Sequence, residues 1–191
     1  MWRQMINSLR MLIVLTAITG LVYPLVMTGV AQALFPVQAN GSMLEKNGKV
    51  VGSALIGQSF TSPGYFRGRP SAAGKDGYDG VNSSGSNLGP TNKKLIDTVA
   101  DTSKKVREEN KLGENEQIPA DLVLASASGL DPHISPEAAY LQVERVAVER
   151  GRSADQIKKL VDNHVEGRQL RLFGEARVNV LNLNLALDAL E

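Results

Sequence analysis

A hydroxyl beside an imidazole is the arrangement of nucleophilic catalysis, and Ser126-Ala127-Ser128-Gly129 lies just ahead of His133. Such a site is defined by geometry, so closeness along the chain is no support for it. A second polar run, Ser83-Ser84-Gly85-Ser86-Asn87, offers amides and hydroxyls of the kind that cradle phosphate, although loops of this composition also serve as plain turns. No phosphate-loop motif accompanies it: Gly48-Lys49-Val50 and Gly74-Lys75-Asp76 both lack the hydroxyl residue that should follow the lysine. His133 and His164 are the only histidines and there is no cysteine, which removes thiolate ligands, thiol nucleophiles and disulfides. No H-E-x-x-H or G-x-S-x-G run occurs. The expectation is therefore no catalytic residue, no metal site and no firmly bound cofactor.

The elements that hold these loops can be read from the pattern. Eleven of the 18 glycines fall between Gly41 and Gly89, marking turns and short strands. Asn47-Gly48 between two short apolar segments predicts a tight hairpin. Leu55-Ile56 and Tyr65-Phe66 are further candidate strands, and residues 71–90 form a long polar loop. An apolar stripe through Leu95, Ile96, Val99 and Val106 predicts an amphipathic helix from Asn92 to Lys111. Ser135-Pro136-Glu137 opens a helix expected to run to Arg150 and stop at Gly151. Ser153-Ala154-Asp155-Gln156 is a capping box that opens another. Val178 to Leu181 reads as a strand and Leu183 to Leu190 as a final helix. The fold class is α+β.

The longest signal lies at the start. Met11 to Phe35 carries no charge, and a helix of about 23 residues spans about 35 Å, enough for a bilayer core. Arg3 and Arg10 are the only charges before it and favour a cytoplasmic N-terminus. The division expected is a tail at 1–10, a transmembrane helix at 11–35 and an extracytoplasmic α+β domain at 36–191. Ala31-Gln32-Ala33 resembles a signal cleavage site, but the apolar run is longer than a signal peptide requires, so a retained anchor is expected. Pro24 removes a backbone donor in mid-span and is expected to kink the helix, with Tyr23-Pro24 meeting a partner helix. From Pro36 onward 19 basic residues face 20 acidic ones, a balance without the broad field that attracts nucleic acid.

Several runs together resemble the KdpC family, the small C subunits of bacterial Kdp potassium-importing ATPases. They are Thr19 to Leu25, Gln38 to Ser42, Gly52 to Gln58, Tyr65 to Ser71, Ser84 to Leu88, Ala125 to Asp131 with Ile134-Ser135-Pro136, and Val178 to Asp188. Asn182 departs from the charged residue expected there. The resemblance implies an accessory subunit in the bacterial inner membrane, with a channel-like potassium-binding subunit, a P-type ATPase subunit and a very small membrane subunit as partners, besides lipid. It also implies a role in assembly and in raising the ATP affinity of the ATPase subunit, so that ATP enters through the complex. The polar loop of Ser126, Ser128, Gly129 and Asp131 would then face the channel-like partner, with Asp131 near the outer ion path. An independent, membrane-anchored binding module is the alternative.

Overall fold

The computed structural model describes residues 1–190, which divide into two compact units, Met1–Ser53 and the chain from Ala54 onward. The first unit begins with helix α1 (Trp2–Ala17), which continues through a π-helical segment, Ile18–Val22, into α2 (Tyr23–Leu34). Together they make one helix of 33 residues, long and apolar enough to cross a membrane. It starts nine residues before the uncharged stretch because nothing in Trp2 to Arg10 breaks a helix. None of its residues is buried by the rest of the chain. Pro24 explains the π segment. Its ring would clash with the carbonyl one turn back, and it has no N–H to donate. The helix widens ahead of it, and the Tyr23 N–H reaches Ile18 O, one residue beyond the α-helical partner.

A single turn, α3 (Pro36–Ala39), follows, and reciprocal amide hydrogen bonds of 3.2 Å link Gln32 to Asn40. Strands β1 (Met43–Lys46) and β2 (Lys49–Ser53) then form the predicted hairpin. Asn47 and Gly48 take φ of 54° and 72°, the two left-handed positions that a two-residue turn needs.

The second unit is a helical layer on a small antiparallel sheet. Its helices are α4 (Lys93–Asn110), α5 (Pro136–Leu141), α6 (Val143–Arg150), α7 (Ala154–His164) and α8 (Val180–Asp188). Strands β3 (His133–Ile134), β4 (Val165–Glu166) and β5 (Arg177–Asn179) pair in the order β3-β5-β4. The core gathers Phe66, Val146, Ile157, Val161, Val178, Leu183 and Leu187. Capping sets the boundaries. Asn92 caps α4, accepting from the Lys94 N–H at 2.9 Å, and the capping box of Ser153 and Gln156 opens α7.

Three expectations need correction. The helix from Ser135 is two helices meeting at Gln142, whose side chain is turned to another task described below. The last strand ends at Asn179 because that side chain accepts from the Asn182 N–H at 3.0 Å and caps α8, so Val180 and Leu181 are helical. Leu55-Ile56 and Tyr65-Phe66 are not strands.

Candidate functional site

Tyr65-Phe66-Arg67 runs through the core, yet it belongs to no ladder. Buried backbone groups must still find partners, and here side chains supply them. The Asn184 amide accepts from the Phe66 N–H and donates to the Phe66 carbonyl, both at 2.9 Å. The Gln142 amide does the same for Arg67, at 2.7 and 3.2 Å. Two amide side chains, one from α8 and one from the α5–α6 junction, thus imitate a neighbouring strand. Arg145 adds donors to the carbonyls of Pro63 and Tyr65 and to Gln142 Oε1. Burial, then the nearby Arg67 charge, lowers the Arg145 pKa to about 10. Arg150 stacks 4.5 Å from the Tyr65 ring centroid and pairs with Asp188 at 2.8 Å.

This fixed segment delivers Arg69, Ser71 and Tyr78 to the polar loops. Ser71 Oγ donates to Gly129 O at 2.6 Å and accepts from the Tyr78 N–H at 2.7 Å. The Tyr78 hydroxyl donates to Arg69 O at 2.5 Å, and burial, with the Asp131 charge second, pushes its pKa up to about 12. Arg69 reaches Asp131 at 3.2 Å and the carbonyls of Leu124 and Ala125. Its side chain borders two recesses. One, of about 280 Å³, is lined by Arg67, Tyr78, Lys105 and Glu109; the other, of about 530 Å³, by Asp121, Asp131, His133 and Arg177.

The two polar loops are brought together. The Ser84 N–H and the Ser83 hydroxyl both donate to Ser128 O, at 3.0 and 2.9 Å. Gly85 and Gly129 sit at the contact, where an added Cβ would meet Ala127 O and Ser84 O. Much of the hydrogen-bonding capacity of the run is therefore used inside the chain: Ser128 Oγ accepts from the Leu130 N–H, and Gly129 N donates to Ser126 O. Ser83, Ser84, Ser86, Asn87 and Ser128 remain exposed. Ser126 and Ser128 lie 3.5 Å apart at their hydroxyls. His133 turns to Asp131 instead, with Nδ1 at 3.4 Å from Oδ1. Tyr23 and Pro24 lie in the other unit, exposed on the long helix.

Asp131 also accepts from the His133 N–H at 3.0 Å. The side chain of His133, then its backbone N–H and Arg69, lower the Asp131 pKa against the opposing effect of partial burial. A carboxyl with a lowered pKa stabilises the fold above its unfolded value of 3.8 and loses that contribution as pH falls through the folded value. Asp131→Asn should cost about 1 kcal/mol at neutral pH, a figure already reduced for solvent screening. The gap to the parent should close below pH 3.8 in acid unfolding curves. A gap that is flat with pH would show that the charge does not matter.

One helix long and apolar enough to cross a membrane, followed in the chain by a mixed α+β unit, is the make-up of a membrane-anchored protein. Residues 5–189 match the KdpC family, described as the K+-transporting ATPase, c chain. The chain is 56% identical to the potassium-transporting ATPase KdpC subunit of Gemmatimonas aurantiaca, covering 97% of this chain and 94% of that one. It is 52% identical to the same subunit of Koribacter versatilis, at 98% and 95% coverage, and 54% identical to that of Mycobacterium tuberculosis, at full coverage of both. The chain belongs to the KdpC family, the C subunits of potassium-transporting ATPases. Gln142, Arg145, Arg150 and Asn184 gave no signal in the sequence, since a polar residue within a helical pattern ordinarily marks its solvated face.

Proposed function

We propose that this chain is the anchored, non-catalytic subunit of an ATP-driven potassium importer in a bacterial inner membrane. The observation that carries this is the helix Trp2–Leu34, apolar and buried nowhere within its own chain, in a member of a transporting-ATPase subunit family. An apolar surface of that extent needs lipid or other helices around it. Arg3 and Arg10 hold the N-terminus in the cytoplasm, and the α+β unit lies outside. ATP is cytoplasmic, so the chain raises the nucleotide affinity of the ATPase subunit through coupling and not by contact. Tyr23 and Pro24 meet a partner helix, and the exposed serines of the joined loops face the channel-like subunit. Asp131, whose charge is matched by Arg69, serves the loop junction more than the field at the ion path.

Removing this chain from a co-expressed transporter should abolish recovery of the complex or raise the ATP concentration for half-maximal hydrolysis about tenfold. Alkaline phosphatase fused to the C-terminus should be active. Unchanged assembly and ATP dependence would refute the accessory role, and a silent fusion would refute the orientation.

A further inference from the structure

The hairpin formed by β4 and β5 extends well beyond the core. Its base pairs Val165 with Val178, which is fully buried, and Glu166 with Arg177. Farther out Gln169 pairs with Phe173, exchanging two backbone hydrogen bonds of 2.9 Å. The tip holds Leu170, Leu172 and Phe173, exposed to 87%, 71% and 59%. Three large apolar side chains on one projecting tip form a patch of the kind that meets a protein partner or a membrane.

Two features describe the partner. Leu170 and Arg171 have φ of 52° and 60°, and Leu172 N donates to Gln169 O at 3.0 Å, which closes a tight turn. This turn usually takes Asn-Gly, because other residues crowd their own backbone in left-handed conformation. A fluid surface would accept the same side chains on a relaxed loop. A fixed, strained presentation fits a recess of defined shape. The charges point the same way. Arg168 pairs with Glu175 at 2.5 Å and Arg177 with Glu166 at 2.9 Å, so the stem is neutralised across the strands. Arg171, at the tip, has no ion pair among the described residues.

We infer that the tip of residues 169–173 is a docking element that inserts into an apolar recess with an acidic rim on another subunit of the same transporting complex. The inference rests on the proposed function, since it needs sister subunits. Leu170 and Phe173 fill the recess, Arg171 meets the rim, and the strained turn holds them ready.

The test uses the full chain, tagged and co-expressed with its sister subunits. A photoreactive benzoylphenylalanine at position 173 should crosslink to a sister subunit. Leu170→Ser with Phe173→Ser should lower the co-purified complex about tenfold while the chain itself accumulates normally. Leu170→Asn with Arg171→Gly gives the turn its preferred residues. It should raise the melting temperature of the chain and still lower complex yield several-fold, a pair of effects that a purely structural turn would not produce. Arg171→Glu should weaken the complex and Arg171→Lys restore it. Crosslinks to lipid alone, or none while sister subunits co-purify, overturn the docking role and leave the accessory function standing. Sister subunits absent even around the parent chain overturn both.

Discussion

Asn184→Leu should destabilise the second unit by about 2–6 kcal/mol, although leucine has the same number and branching of side-chain heavy atoms as asparagine. Asn184 is 1% exposed, and its amide is the partner of both the N–H and the carbonyl of Phe66. Leucine answers neither. Two buried backbone groups then lose their bonds, each at a cost of about 1–3 kcal/mol. Opening the segment to water would instead expose Phe66, a core side chain with no accessible surface. Either outcome consumes much of the total stability of a domain, about 5–15 kcal/mol. Denaturant midpoints of the full chain in mild detergent measure the loss, and amide exchange locates it. Faster exchange should be confined first to the amides of residues 64–67. A loss under about 1 kcal/mol would mean that water replaces the amide and that the strand mimicry contributes little.

Gly129→Ala should cost more than about 3 kcal/mol and separate the two polar loops. Two effects combine. Gly129 has φ of +67°, where an alanine costs about 1–2 kcal/mol by backbone crowding alone. Its added Cβ would also lie 2.5 Å from Ser84 O and 2.7 Å from Ala73 N, both backbone atoms that cannot swing aside. The loops must part, and the Ser84-to-Ser128 and Ser71-to-Gly129 hydrogen bonds go with them. Gly151→Ala separates the two effects. Its φ is +60°, but nothing lies within 4 Å of the added carbon, so only the backbone term remains. Unfolding free energies of the two variants should differ by at least about 1 kcal/mol. Equal losses would mean that the loops are not tightly joined at Gly129.

These two cases mark where the sequence is readable. The uncharged run of the long helix, the Asn47-Gly48 turn and the Ser153 capping box each lie within a few residues of the structure they determine, so pattern alone finds them. The loops around Gly85 and Gly129 stood out by composition, but not that one closes on the other. The support of Phe66 was not legible at all. Its partner is 118 positions away, and asparagine in a helical pattern carries no mark that distinguishes a strand substitute from a surface residue. Tyr65-Phe66 has the apolar, aromatic character of a strand and is bonded like one. What differs is the source of the bonds, side chains in place of a second backbone, and that is settled only when α6 and α8 have packed.

The widened turn ahead of Pro24 has a consequence for the phase of the long helix. A regular helix turns about 100° per residue. The extra residue taken up at Ile18–Val22 therefore rotates everything from Tyr23 onward by about that angle relative to α1. Tyr23 comes to lie above Ile18, at a spacing of five, where an unbroken helix would place Val22. A stripe followed along α1 at spacings of three and four thus passes, beyond the proline, onto a different set of side chains. One partner helix running the full length would meet two unrelated faces of this span, whereas two partners at different depths could each be offered a face of their own.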